Sequence, residues 1–290
     1  MPELLLTFIQ FGLVVSTIII MFSEGLGIPL RHLSFFKEHK GILGRSIFAV
    51  IVLVPIAALM IIYIVVPSNN VMVGLAILAA CPAAPMMIVN IPKAGGDPAY
   101  VTSLHLALGL LSLITTPVIL GLLADVLGFQ AAVNPMAIAG DVSVSLFVPL
   151  CLGILFFALF PRAAHIFRRH LAIIGQAISF ISIVLVLLMS YRLLFQMDLR
   201  SCVAMALIII TALAIGHFLA PPQPEGRTTL ALESAARHPG LAFLIASLNF
   251  SLEQALPVFI PYLVIFAIIS ILYIRWRKRV MDAKNNNVII

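Results

Sequence analysis

The stretches Cys81-Pro82-Ala83-Ala84-Pro85 and Ala236-Arg237-His238-Pro239-Gly240 decide the fold, because each breaks an apolar segment near its middle. A helix cannot simply stop in hydrocarbon, where every unpaired backbone N–H or C=O costs several kcal/mol. Interrupted backbone at that depth has to be buried in protein or line a polar cavity. The two breaks also occupy corresponding places in the two halves of the chain, the arrangement by which secondary transporters build a site at the bilayer midplane.

Composition agrees with a membrane setting. The chain is 62% hydrophobic and 10% charged, with a mean hydropathy of +1.19, against about 25% charged residues in ordinary soluble domains. Segments long enough to cross about 30 Å of hydrocarbon recur along it. The expected spans are 4–29, 45–66, 71–92, 99–121, 142–160, 171–194, 199–219, 228–250 and 255–274. The fold class is therefore an all-α polytopic membrane protein of about nine transmembrane helices. Met1-Pro2-Glu3 lacks the basic opening of a signal peptide, and the first span is too long for one.

Charge sets the expected orientation. With a cytoplasmic C-terminus, 14 of the 17 basic residues, including Arg45, Lys93, Arg162, Arg168, Arg169 and the cluster Arg275 to Arg279, fall on the inner side. That places the N-terminus outside, in the plasma membrane (the inner membrane of a Gram-negative cell). The net charge of +6 needs no nucleic-acid partner; the lipid bilayer accounts for it. An odd span count makes residues 1–121 and 171–274 repeats of inverted topology, with 142–160 as a linking helix and 275–290 as a cytoplasmic tail, the whole of 1–290 being one transporter domain. The broken members, third and eighth, are expected to cross, their half-helix N-termini offering a setting suited to anions.

Intramembrane ionisable groups are candidates for function by default. Glu233, Arg237 and His238 gather at the second break, and a histidine titrates near neutral pH, so with His105 this set can carry a proton. A static Glu233–Arg237 pair, four residues apart, is the other reading. Candidate substrate ligands are Arg237, His238, His105, Asn90, Asn249, Pro82, Met86 and Met87; candidate ion-coupling residues are Glu233 and His105. Glu24, near the inner end of the first span, either lines the cytoplasmic vestibule or reaches the interface, the second being favoured; His217 reads as interfacial, and Gln10 and Gln176 as interhelical hydrogen-bond partners. Cys81, Cys151 and Cys202 are scattered in apolar surroundings and suggest neither a disulfide framework nor a metal site. No cofactor motif or enzyme constellation is present: Gly-x-Ser-x-Gly and His-Glu-x-x-His are absent.

The run Cys81-Pro82-Ala83-Ala84-Pro85, then Gly95-Gly96-Asp97 and Thr115-Thr116-Pro117, resembles the first crossover region of the bile acid:sodium symporter family. Leu232-Glu233-Ser234-Ala235-Ala236-Arg237-His238, with Leu241-Ala242 and Ile245-Ala246, is similar to its second crossover, and Gly25-Leu26-Gly27-Ile28-Pro29-Leu30 with Phe35-Phe36 to the end of the helix before its core. The resemblance implies a panel domain and a core domain that move against each other, one N-terminal helix of the ten-helix members being absent. Of the positions that hold sodium there, Glu233 is retained. The family's Ser-Asn pair falls on Met87 and Ile88, the next helix's Ser and Thr on Val101 and His105, and Gln on Arg237 and Val50. Alkyl, thioether and guanidinium groups supply no oxygen to sodium, so neither sodium site is expected to be intact. The expected function is secondary transport of an organic anion, a carboxylate or sulfonate with an apolar body, by alternating access. Uniport, proton symport and anion exchange stay open; a transport-incompetent sensor or scaffold of the same fold is the alternative.

Overall fold

The computed structural model describes residues 2–27, 38–128, 135–194, 197–249 and 252–286, and every regular element among them is helical. The helices are α1 (Pro2–Gly25), α2 (Lys40–Val65), α3 (Asn69–Ala80), α4 (Met87–Lys93), α5 (Pro98–Leu127), α6 (Met136–Leu159), α7 (Pro161–Leu194), α8 (Leu199–Leu219), α9 (Pro224–Ala235), α10 (Pro239–Asn249) and α11 (Leu252–Asn286). Seven of these, all but α3, α4, α9 and α10, contain a stretch long and apolar enough to cross a membrane. The chain is thus an all-α polytopic membrane protein. The expected third and eighth spans are each two shorter helices, α3 with α4 and α9 with α10, divided at the two proline breaks.

Several boundaries differ from the expected ones. α7 begins at Pro161, where a proline suits the first helical turn because its missing N–H has no partner there anyway. Arg162, Arg168 and Arg169 therefore lie on a helix; hydropathy alone places them in a loop. α11 continues through the basic cluster to Asn286, so most of the expected tail is helix. Arg277 is buried and donates through Nη2 to the Pro224 carbonyl at 2.9 Å, tying α11 to the start of α9.

α2 and α6 each contain one π-helical stretch, Ala49–Leu53 and Ser143–Phe147, shortly before Pro55 and Pro149. The pyrrolidine ring has no N–H to donate and crowds the carbonyl four residues back, so the turn widens there.

The helices pack in two groups. α1 lies against α6 and α7; α2, α3, α4, α5, α8, α9, α10 and α11 pack on one another, and α5, α10 and α11 also touch the first group, α5 doing so extensively against α6. Close approach in the first group needs glycine, since a Cβ on Gly153 would fall 2.3 Å from the Phe22 carbonyl oxygen. In the second group a Cβ on Gly216 would fall 2.5 Å from the Leu230 oxygen. Leu75, Ile77, Leu78, Met205, Ile209 and Ile245 fill the second group's interior.

Asp198 caps α8, accepting from the Ser201 backbone N–H at 3.2 Å and from the Ser201 hydroxyl. The hydroxyl bond holds its carboxyl below the usual carboxylate range. A lowered folded-state value means that the cap's contribution is full above the unfolded carboxylate pKa and is lost as pH falls through the folded one. Asp198→Ala should lower stability by about 1 kcal/mol at neutral pH, and the gap to wild type should close on acidification, as thermal melts at pH 7 and in acid would read.

Candidate functional site

The two breaks meet. The His238 N–H donates to the Pro82 carbonyl at 2.9 Å, so the backbone freed by one proline is satisfied by the other crossing. α3 ends at Ala80 and α9 at Ala235, each followed by extended backbone at Cys81 and Ala236. Two half-helix C-termini, with their unpaired carbonyls, therefore come close to one point.

Arg237 fills that point. Its guanidinium donates through Nη1 to the Cys81 carbonyl at 3.1 Å and through Nη2 to the Ser234 carbonyl at 2.9 Å, and the residue is only 5% exposed. A fixed cation on carbonyls at two helix C-termini is the arrangement that helix dipoles favour. Tyr262 adds a hydroxyl donated to the Ala235 carbonyl at 3.3 Å.

Glu233 is fully buried, and its partner is His105 rather than Arg237. His105 Nδ1 lies 2.7 Å from Glu233 Oε1, and His105 Nε2 lies 3.9 Å from Glu24 Oε2. The expected Glu233–Arg237 pair does not form because α9 stops at Ala235. Arg237 lies beyond the helix, where the four-residue spacing no longer puts two side chains on one face. Glu24 is corrected as well, being largely buried beside His105 and not interfacial. The approach of α1 to α5 across the two groups had no sequence signal beyond the presence of both ionisable residues.

His238 is 7% exposed. Its Nδ1 accepts from the Leu241 N–H at 3.0 Å, which leaves the ring proton on Nε2, and Nε2 has no partner among the described residues.

A cavity of about 910 Å³ lies between the two groups. Of the expected substrate ligands, His238 and Met86 line it. Arg237 does not: with Pro82 it borders a separate void of about 10 Å³, and both of its terminal nitrogens donate to carbonyls. Met87 and His105 are buried and do not line the large cavity, and Asn90 is exposed away from its wall. The side chain of Asn249 lies outside the described residues. Sequence reasoning missed Arg168, Arg169 and Gln176 as wall residues, and for Glu24 it favoured the interface over a place on a cavity wall. For Arg168 and Gln176, the 3-4-4 spacing of His165, Arg168, Ala172 and Gln176 was the available signal, and it became legible once α7 was known to begin at Pro161.

The Cys81 and Ser234 carbonyls are taken by the guanidinium, and the facing Glu233 oxygen by an imidazole.

The sequence profile described as "Sodium Bile acid symporter family" matches residues 14–204, from α1 into α8. It thus covers the first crossing and ends before Glu233. A search of curated proteins gives no match.

Proposed function

The chain belongs to the sodium bile acid symporter family, and on that premise we propose that it is a secondary transporter of an organic anion that works without the family's two sodium ions. Families of this kind consist of membrane transporters, and seven apolar helices make this chain a multi-pass membrane protein. The observation that carries the sodium-free reading is the use of the protein's own cation at the crossing: Arg237 already satisfies the Cys81 and Ser234 carbonyls. A guanidinium delivers fixed charge and directed donors, so the crossing is assembled before any ion arrives.

In this reading α1, α6 and α7 form the panel, the remaining helices form the core with its inverted repeats, and substrate occupies the cavity between them. The N-terminus is outside and the C-terminus cytoplasmic. The core moves against the panel, carrying His238 with it. Coupling is left to a proton or to no ion. The Glu24–His105–Glu233 contacts support the first, because they connect a cavity-lining carboxylate with a buried one through an imidazole.

Uptake into proteoliposomes decides this. A bile acid and a series of alkyl carboxylates and sulfonates should be taken up at the same rate in external sodium, potassium or choline. A rate that rises with sodium would reject the reading, and binding without uptake would favour a sensor.

A further inference from the structure

We infer that the C-terminal part of α11, with the adjoining ends of α8 and α9, binds the headgroup of an anionic phospholipid: Arg227 donates to its phosphate, Trp276 sets its depth, and the α11 surface beneath carries an acyl chain. Such a site is separate from the cavity between the two helix groups and shares none of its lining residues.

Three helix ends meet at one level. α8 closes with His217, Phe218 and Leu219, and α9 opens just beyond at Pro224. On α11 the distance from Val258, where its described apolar stretch begins, to Trp276 is about 27 Å at the rise of a helix, close to the thickness of the hydrocarbon. The Tyr273 hydroxyl lies 2.8 Å from His217 Nδ1 and donates to the Arg227 carbonyl at 3.4 Å, which ties α11 to both neighbours. The His217 ring centre stands 5.4 Å from that of Trp276 and 5.5 Å from that of Phe218. Rings with an apolar body and a polar edge gather in this way at the boundary between hydrocarbon and headgroups.

The same place is basic. Arg275, Lys278 and Arg279 are exposed and lend a diffuse positive field. Two further arginines are placed more closely. Arg277 is buried, bonded to the Pro224 carbonyl and, through Nε at 3.4 Å, to Thr228 Oγ1, with its guanidinium carbon 5.7 Å from the centre of the Trp276 ring. Arg227, next to Thr228, is partly exposed and makes no side-chain hydrogen bond or ion pair among the described residues; of its three nitrogens only Nε is enclosed. Glu225, exposed on the first turn of α9, pairs with none of these cations. A guanidinium fork left open beside fixed positive charge matches two oxygens of a phosphate.

The surface below chooses the lipid over a soluble phosphate. Leu272, Ile268 and Val264 follow Trp276 back along α11 in four-residue steps, and all are exposed. Phe218, 82% exposed, adds apolar surface beside His217. A soluble anion uses the arginines alone, whereas a phosphate carried on a hydrocarbon chain uses the stripe as well.

The test is thermal unfolding of the full chain, stripped of lipid in a neutral detergent and titrated with phosphatidylglycerol, phosphatidylcholine or glycerol phosphate. A ligand that binds only the folded state raises the midpoint by mass action. Phosphatidylglycerol should raise the wild-type Tm at concentrations where the other two leave it unmoved. Arg227→Gln should bind phosphatidylglycerol about tenfold more weakly, the loss of one charge-assisted hydrogen bond. Arg227→Lys keeps the charge without the fork; it should fall between the two and serves where the glutamine variant does not fold. Arg200→Gln, at the opposite end of α8, should respond as wild type does. An equal response to phosphatidylcholine overturns the recognition of charge, and an equal response to glycerol phosphate overturns the lipid as occupant. Phosphatidylglycerol binding unchanged in Arg227→Gln, or weakened as much in Arg200→Gln, overturns the site.

Discussion

Replacing His105 by alanine should destabilise the folded protein by about 3–5 kcal/mol, because it leaves a buried carboxylate without its partner. Glu233 is fully buried, its Oε1 has His105 Nδ1 at 2.7 Å, and its Oε2 has no partner among the described residues. Glu24 loses the same ring, at 3.9 Å from Nε2. The groups that face His105 come from three places: Glu233 on α9, Glu24 on α1 and His238 at the second crossing. The cost therefore arises mainly from what is left behind and less from the contact itself. Glu233→Gln in the His105→Ala background removes the stranded charge, so the double variant should be more stable than His105→Ala alone. Thermal melts of the four proteins of this cycle read the coupling directly. Additive losses, or a His105→Ala protein as stable as wild type, would mean that the two residues do not act as a pair. The same variants should lose uptake of organic anions together, since each disorders the side of the core that faces α1.

How much of this was legible in the sequence depends on which physical rule was in charge. The apolar spans and the two breaks were, because hydrocarbon length and proline's missing N–H act locally. The crossing itself was legible for the same reason, and the His238 to Pro82 hydrogen bond is its direct expression. Partner choice at the site was not. The four-residue spacing from Glu233 to Arg237 is a helical rule, and it failed where the helix ends at Ala235. Glu24 read as interfacial because its distance from the end of the span was visible and its neighbour was not; only tertiary packing brings α1 to α5. Arg168 and Arg169 read as loop charges because hydropathy averages over a helix whose first two turns are basic, although Pro161 marked its start.

On the sodium-free reading proposed above, Arg237→Gln should make the protein's stability respond to sodium where that of wild type does not. In wild type the guanidinium bridges the Cys81 and Ser234 carbonyls in a site shut off from water. Removing it withdraws two charge-assisted hydrogen bonds, each worth about 1.5–3 kcal/mol, and leaves both half-helix C-termini with unpaired oxygens. Relief of the arginine's own desolvation offsets part of that loss, so a large fall in melting temperature is expected, short of complete unfolding. Glutamine, however, returns a carbonyl oxygen to a position that otherwise has backbone oxygens alone. A small hard cation binds oxygen clusters of that kind. A ligand that binds only the folded state raises its stability by mass action, so adding sodium should restore part of the lost melting temperature in Arg237→Gln and shift wild type not at all. Choline at the same ionic strength controls for general salt effects. Arg237→Met, of similar length but without oxygen, should show the destabilisation and no sodium response. If wild type is itself stabilised by sodium over choline, the guanidinium is not standing in for a cation, and the sodium-free reading of this transporter fails with it.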